Sequence, residues 1–387
     1  MRFAARVESV GLSQTLAVKK AADALKNQGV DVIDLGPGEP DFPTPDHIKA
    51  AAGRAIEKNY TKYTAEVGIP ELRQAIAEKY NRAYGTHYAP ENVIVTSGAK
   101  QALYQIAQAL FQEGSEVVIP VPYWVSYPEQ VRLNGAAPVF VETRESEHFQ
   151  LRATTIERAL SSRTRAIILN SPNNPTGATI ERDELRQIVK LAAERDIFVI
   201  FDECYEHFLY EGRHSCAAEF DTLHVIVVSA VSKSYAMTGW RLGWAVAPVP
   251  VVQALSKIQS HSTSHPTSIS QHAAVAALLG DQSCLDRMLS EYTRRREFVL
   301  AELKKIPRLR CNAPQGAFYL FPNISDFLNG RSLKTSVDFA QFLLEEAYVA
   351  VVPGAGFGAD GYVRFSYATS MDRLAEGMKR LQRLLAS

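Results

Sequence analysis

The chain has 387 residues, enough for two lobes, because single apolar cores stop growing at roughly 250 to 300 residues. Lysine plus arginine and aspartate plus glutamate number 42 each, so no basic field argues for nucleic acid or an anionic membrane. No apolar run approaches the roughly 18 residues of a membrane span, the N-terminus lacks a signal peptide's apolar core, and the four cysteines show no CxxC spacing, which fits a soluble cytoplasmic protein.

In chain order, 32–35 reads as a short strand running into Gly36-Pro37-Gly38-Glu39-Pro40-Asp41-Phe42. Thr44 then caps a helix with Pro45 in its first turn, and the lobe boundary falls there. Short apolar runs follow at 93–96, 117–120, 166–169, 198–201, 225–228 and 242–247, alternating with helical periodicity such as 101–111 and 184–193. That alternation predicts an α/β large domain over 46–295 with a mostly parallel central sheet flanked by helices. A connecting helix over 292–306 leads to a strand at 317–321, a helix at 336–347 and strands at 348–352 and 362–367. These form a smaller α+β domain over 296–387, which the N-terminal segment 1–45 is expected to join.

Open α/β sheets bind ligands beyond the carboxyl ends of their strands. The residues after the predicted strands form a coherent set: Ser97-Gly98-Ala99-Lys100, Pro122-Tyr123-Trp124, Asn170 to Gly177, Asp202-Glu203-Cys204-Tyr205 and Ser232-Lys233. The first opens a helix, so its free backbone N–H groups suit an anion, although a turn of this kind can carry glycine for geometry alone. It is not a nucleotide P-loop, because Gln101 stands where serine or threonine belongs. Arg241 offers forked donors to the same anion or is an ordinary surface arginine, and Trp124 offers a stacking face or core packing. A carboxylate at Asp202 can keep a ring nitrogen protonated, or serve as a cap or a buried ion pair. Tyr205 and Asn174 suit a phenolic oxygen on such a ring, and Asn174 also suits a plain Asn-Pro turn. Lys233, between Asp202 and Arg241 in sequence, supplies the amine; Arg364, between strand formers, can take a carboxylate. Together these residues suggest pyridoxal phosphate.

With Gly38-Glu39-Pro40-Asp41-Phe42, Tyr60-Thr61-Lys62-Tyr63, Asn173-Asn174-Pro175-Thr176-Gly177, Asp202-Glu203-Cys204-Tyr205, Ser232-Lys233 through Gly239-Trp240-Arg241, and Val363-Arg364-Phe365-Ser366, the chain resembles the class I and II aminotransferases, fold-type I pyridoxal-phosphate enzymes. The resemblance covers essentially the whole chain. It implies that Lys233 bonds the cofactor, Asp202 holds its ring nitrogen, Tyr205 and Asn174 its phenolic oxygen, and Trp124 its face. Arg241, Ser232 and the amides of Gly98, Ala99 and Lys100 would hold phosphate, and Gly38 and Arg364 the substrate's α-carboxylate, with Asn174 and Trp124 nearby. Tyr63 and Ser262-Thr263-Ser264 would come from a second subunit, implying a homodimer. Ala230 departs from a serine that many relatives place on phosphate; Ser232 or the neighbouring chain would compensate.

Lys100, Ser13 and Thr15 resemble the subgroup of bacterial and plastid-type aspartate and prephenate aminotransferases, where such residues meet a distal carboxylate. The implied reaction is ping-pong transfer from a dicarboxylic donor, aspartate first, to 2-oxoglutarate. Prephenate is the next candidate, a broad aromatic or kynurenine enzyme a further one, and a β-lyase uses the same Lys233. A regulator descended from this family would append a basic DNA-binding domain, and the chain shows none. Gly354 to Gly358 is not a dinucleotide fingerprint, since a strand follows it, and His261 and His265 lack a third metal ligand. Cys204 reads as a small packing residue.

Overall fold

The computed structural model describes residues 4–8, 10–11, 14–328 and 333–386. After a short strand β1 (Ile33–Asp34), seven strands build the central sheet: β2 (Val93–Thr96), β3 (Glu116–Val121), β4 (Ala137–Glu142), β5 (Thr164–Asn170), β6 (Phe198–Asp202), β7 (Val225–Ala230) and β8 (Gly243–Val246). Their order is β2-β8-β7-β6-β5-β3-β4. Only β8 runs against its neighbours; the other pairings are parallel.

Alternation along each strand divides the core between the two faces of this sheet. Val95, Leu169, Phe201, Val227 and Trp244 pack on one face. Ile94, Ile168, Ile200, Ile226 and Ala245 pack on the other. Each fully buried side chain of this kind contributes about 1.5 to 3 kcal/mol, so truncating Phe201 to alanine would cost about 3 to 5 kcal/mol. The covering helices follow from spacing. Leu185, Ile188, Val189 and Ala192 form the buried stripe of Arg182–Glu194, whose first turn carries Asp183 and Glu184 against the helix dipole.

A third core collects Ile33, Leu35, Tyr292, Phe318, Phe339, Val349, Phe365 and Leu381. It lies around an antiparallel sheet of β11 (Val352–Pro353), β12 (Val363–Ser366) and β9 (Tyr319–Leu320), beside a parallel pair of β1 with β10 (Val349–Ala350). The helix Ser336–Glu346 is capped by Thr335, which accepts from Asp338 N at 3.1 Å, and Met371–Leu385 by Ser370.

Three sequence expectations change. Thr44 does not cap the helix Asp46–Glu57: Pro45 takes that position. The Thr44 hydroxyl instead donates to Ala236 O at 2.7 Å and accepts from Trp240 Nε1 at 3.0 Å. The helix expected from 292 begins at Ser283 and runs unbroken to Leu303, because Cys284, Met288, Tyr292, Arg295 and Val299 continue one buried stripe across both cores. The strand expected over 348–352 is two short ones, split at Val351.

Candidate active site

Because β2, β3, β5, β6 and β7 point the same way, the segments after them meet at one edge; β8 runs oppositely, so the residues before it arrive there too. A cavity of about 540 Å³ opens at this edge, closed on its far side by Gly38, Tyr319, Val352 and Arg364.

Lys233 sits in a one-turn helix, Val231–Ser234, immediately after β7, and its amine donates to Gly38 O. Burial pulls that amine down to about 8, opposed by Cys204 and Glu39 and assisted by the like charges of Arg364 and Arg241. Asp202, at the end of β6, is 6 % exposed. It accepts from Tyr127 Oη at 2.7 Å and from Cys204 N at 3.1 Å, while burial pushes its carboxyl upward against those bonds. Both donors are neutral. A buried carboxylate in this state favours a cationic N–H opposite it.

A relay joins the two lobes above Lys233. Asn170 Nδ2 donates to Asp202 O at 2.9 Å, and its Oδ1 accepts from Asn174 N at 2.8 Å. Asn174 Nδ2 reaches Tyr205 Oη at a long 3.5 Å, and Tyr205 Oη lies 2.8 Å from Tyr319 Oη. Arg364 donates to Asn174 Oδ1 at 2.9 Å and to Gly36 O at 2.7 Å, lying 4.4 Å over the Tyr319 ring. Its Nε is buried without a partner among the described residues. Of a guanidinium's five N–H groups these bonds use two, leaving three for a carboxylate in the cavity. At Gly38 a Cβ would stand 2.9 Å from Tyr319 Oη and 3.7 Å from Arg364 Nη2.

The opposite corner is an anion cradle. Gly98 caps the helix Ala99–Leu110 with φ +88°, and the amides of Ala99 and Lys100 have no preceding turn to donate to. Arg241 Nη1 donates to Thr238 O at 2.7 Å, and a Cβ on Gly98 would lie 2.7 Å from Nη2. Glycine is therefore required there both by conformation and by the guanidinium. Ala230 and Ser232 line the cavity between this corner and Lys233. Lys100 Nζ lies 4.8 Å over the Trp124 ring, and burial together with the charge of Arg241 lowers its amine.

The family model for aminotransferase class I and II matches residues 30–381. The chain belongs to the class I and II aminotransferase family. Curated relatives of this aminotransferase include an aspartate aminotransferase of Geobacillus stearothermophilus, 45 % identical over 100 % of this chain and 99 % of the relative. A probable aspartate/prephenate aminotransferase of Aquifex aeolicus is 44 % identical over 99 % of this chain and 98 % of its own. Among solved structures, an aspartate aminotransferase from Thermus thermophilus with maleate superposes with a TM-score of 0.95 at 43 % identity, covering 100 % of both chains. The fold is accordingly that of fold-type I transferases: a mostly parallel, helix-flanked sheet with a smaller α+β part.

The aminotransferase brings Gly38, Ala99, Lys100, Trp124, Asn174 and Asp202 into one cavity, together with Tyr205, Ser232, Lys233, Arg241 and Arg364. Gly98 stands just behind, under Arg241. Tyr63 does not line it: this ring is 92 % exposed, edge-on to His265 at 5.6 Å. Thr263 accepts from Gln101 Nε2 of its own chain. Ser13 lies outside the described residues, as does the side chain of Thr15. Sequence reasoning missed Tyr127, Tyr319 and the role of Asn170. Tyr127 follows Trp124 by three residues at the start of the helix Ser126–Leu133, a spacing that could have pointed to it. Tyr319 is identifiable only through β9 pairing with β12, which carries Arg364. Among the described residues no group of three His, Cys, Asp or Glu could hold a metal, and no helix is long and apolar enough to cross a membrane.

Proposed function

We propose that this aminotransferase transfers the amino group of aspartate to 2-oxoglutarate, with pyridoxal 5'-phosphate held in the cavity. The observation that carries the reading is one cavity with a buried lysine near neutrality, a buried carboxylate lacking a cation, and two separated cations, Arg364 and Lys100. That donor set suits the cofactor. Asp202 would meet a ring N–H, the Tyr205–Asn174 pair a phenolic oxygen, Trp124 a ring face, and the Gly98–Lys100 turn with Arg241 and Ser232 the phosphate.

When bound, the cofactor supplies an electron-withdrawing ring and a carbonyl that accepts an amine. Lys233 moves the proton at the substrate's Cα, its lowered basicity suiting it to both directions of transfer. Arg364 and Gly38 orient the α-carboxylate, and Lys100 takes the distal one. Asn174 fixes the Arg364 plane. The Thermus relative's maleate is itself a dicarboxylate, in keeping with this division. Prephenate is the second reading, favoured by the Aquifex relative's name and by prephenate's own distal carboxylate.

The exposed Tyr63 and the segment of Ser262 support a homodimer in which each chain completes the other's site. The large domain is drawn at 46–295, and the cytoplasm is the expected location. The test is oxaloacetate production from aspartate with and without 2-oxoglutarate. Strict dependence on the acceptor supports the proposal; pyruvate and ammonia released from a cysteine conjugate without acceptor would establish a lyase.

A further inference from the structure

Lys19 belongs to the helix Gln14–Asn27 and lines the same cavity as Lys100 and Arg364. Seven residues on, Lys26 donates to Asp34 Oδ2 at 2.9 Å, and Asp34 also lines the cavity. Residues seven apart lie about 20° from one another around a helix and about 10 Å apart along it, so Lys19 and Lys26 share a face. Lys26 is anchored on that face by β1. Lys19 is exposed at the rim and has no ion-pair or hydrogen-bond partner among the described residues. The acids of the cavity wall are otherwise engaged: Asp34 by Lys26 and Gly36 N, Glu39 by the Thr238 hydroxyl at 2.8 Å, and Asp202 by Tyr127. An uncompensated cation at the mouth of a site already holding Lys100, Arg241 and Arg364 favours a dicarboxylic amino acid, of net charge minus one, over a monocarboxylic one of net charge zero.

We infer that Lys19 is a specificity-determining residue that attracts the distal carboxylate of dicarboxylic amino and oxo acids at the cavity mouth. The inference rests on the dicarboxylic reading of the preceding section. It is distinct from the role of Lys100, which packs against Trp124 inside the cavity, because a rim charge works through solvent and is screened by salt.

The test uses the holoenzyme and its Lys19→Ala, Lys19→Arg and Lys19→Glu variants with aspartate and with phenylalanine. Lys19→Ala should raise the half-saturating aspartate concentration about two- to fivefold, the size expected of an exposed charge pair, with the maximal rate unchanged. Phenylalanine should be unaffected, Lys19→Arg should restore aspartate binding, and Lys19→Glu should weaken it further. Added salt should erase the difference between wild type and Lys19→Ala. Equal effects on both substrates, or none on aspartate, overturn the inference. A wild-type enzyme that prefers aspartate while Lys19→Ala keeps that preference undiminished, with the ratio of the two substrates unchanged, removes only Lys19. A wild-type enzyme that fails to use aspartate removes the substrate-class reading, and the Lys19 inference with it.

Discussion

Arg364 on β12 and Asn174 beyond β5 are joined by a 2.9 Å hydrogen bond that spans from the small antiparallel sheet to the large parallel one. Both side chains are buried, and the same asparagine reaches Tyr205. One amide therefore sets the plane of the guanidinium and the place of the phenol together.

Replacing Arg364 with lysine keeps the charge and loses the fork. It is expected to lower kcat/KM for every amino acid by about 30- to 1000-fold, the range for breaking a buried charge-assisted contact. Asn174→Ala should lose less and should also shift the cofactor's absorption spectrum through Tyr205. Steady-state kinetics and absorbance spectra check both.

Lys100→Ala should act on substrates unequally. Aspartate and glutamate are expected to lose about tenfold or more in kcat/KM and phenylalanine less than about twofold, because only the former carry a distal charge. Equal losses would place Lys100 in the support of Trp124 instead.

The Lys233 amine is drawn from an ordinary 10.5 down to about 8 by burial, so it is an ammonium below pH 8 and a free amine above. Cofactor uptake by the cofactor-free protein should rise about tenfold per pH unit up to about pH 8 and then level off. A rate still rising through pH 10 would mean an exposed lysine. Lys233→Ala should take up cofactor without covalent attachment, as dialysis and mass spectrometry would show.

Beneath the site, Lys79 meets Glu206 at 2.8 Å, both largely buried, and Ser229 donates to the same carboxylate at 3.3 Å. Burial pushes Glu206 up, but Lys79, His207 and His214 together pull it down to about 2. A depressed carboxyl contributes stability above its unfolded value of 4.5 that is lost as pH falls toward 2. Lys79→Met should cost about 3 kcal/mol in thermal or urea unfolding at pH 7, and Lys79→Met with Glu206→Gln should recover most of it.

The large sheet was legible because its strands are short apolar runs bounded by Gly, Asn, Asp and Ser: β2 matches its predicted span, and β3, β5, β6 and β7 contain theirs. β4 was not, since it is an edge strand and residues such as Phe140 are exposed. The same holds for the site. Asp202 ends a strand, Lys233 and Asn174 follow strands, and all three could be read by position. Tyr127 and Tyr319 act through contacts made only when separate elements pack, and spacing alone carries no trace of the Tyr205–Tyr319 pair. Thr44 misled because a hydroxyl before a proline reads as a cap, whereas the turn at Ala236–Trp240 claims it.

The most direct measurement is a single-turnover half-reaction: aspartate, glutamate, arogenate, phenylalanine, alanine and kynurenine are each mixed with the holoenzyme while the cofactor's absorbance is followed. Fast conversion by aspartate, with glutamate or arogenate next and the singly carboxylated donors at least about tenfold slower, is the expected result. Conversion by phenylalanine, alanine or kynurenine alone would contradict the dicarboxylic assignment, and a purified protein with no cofactor absorbance, before or after incubation with pyridoxal phosphate, would contradict the cofactor reading itself.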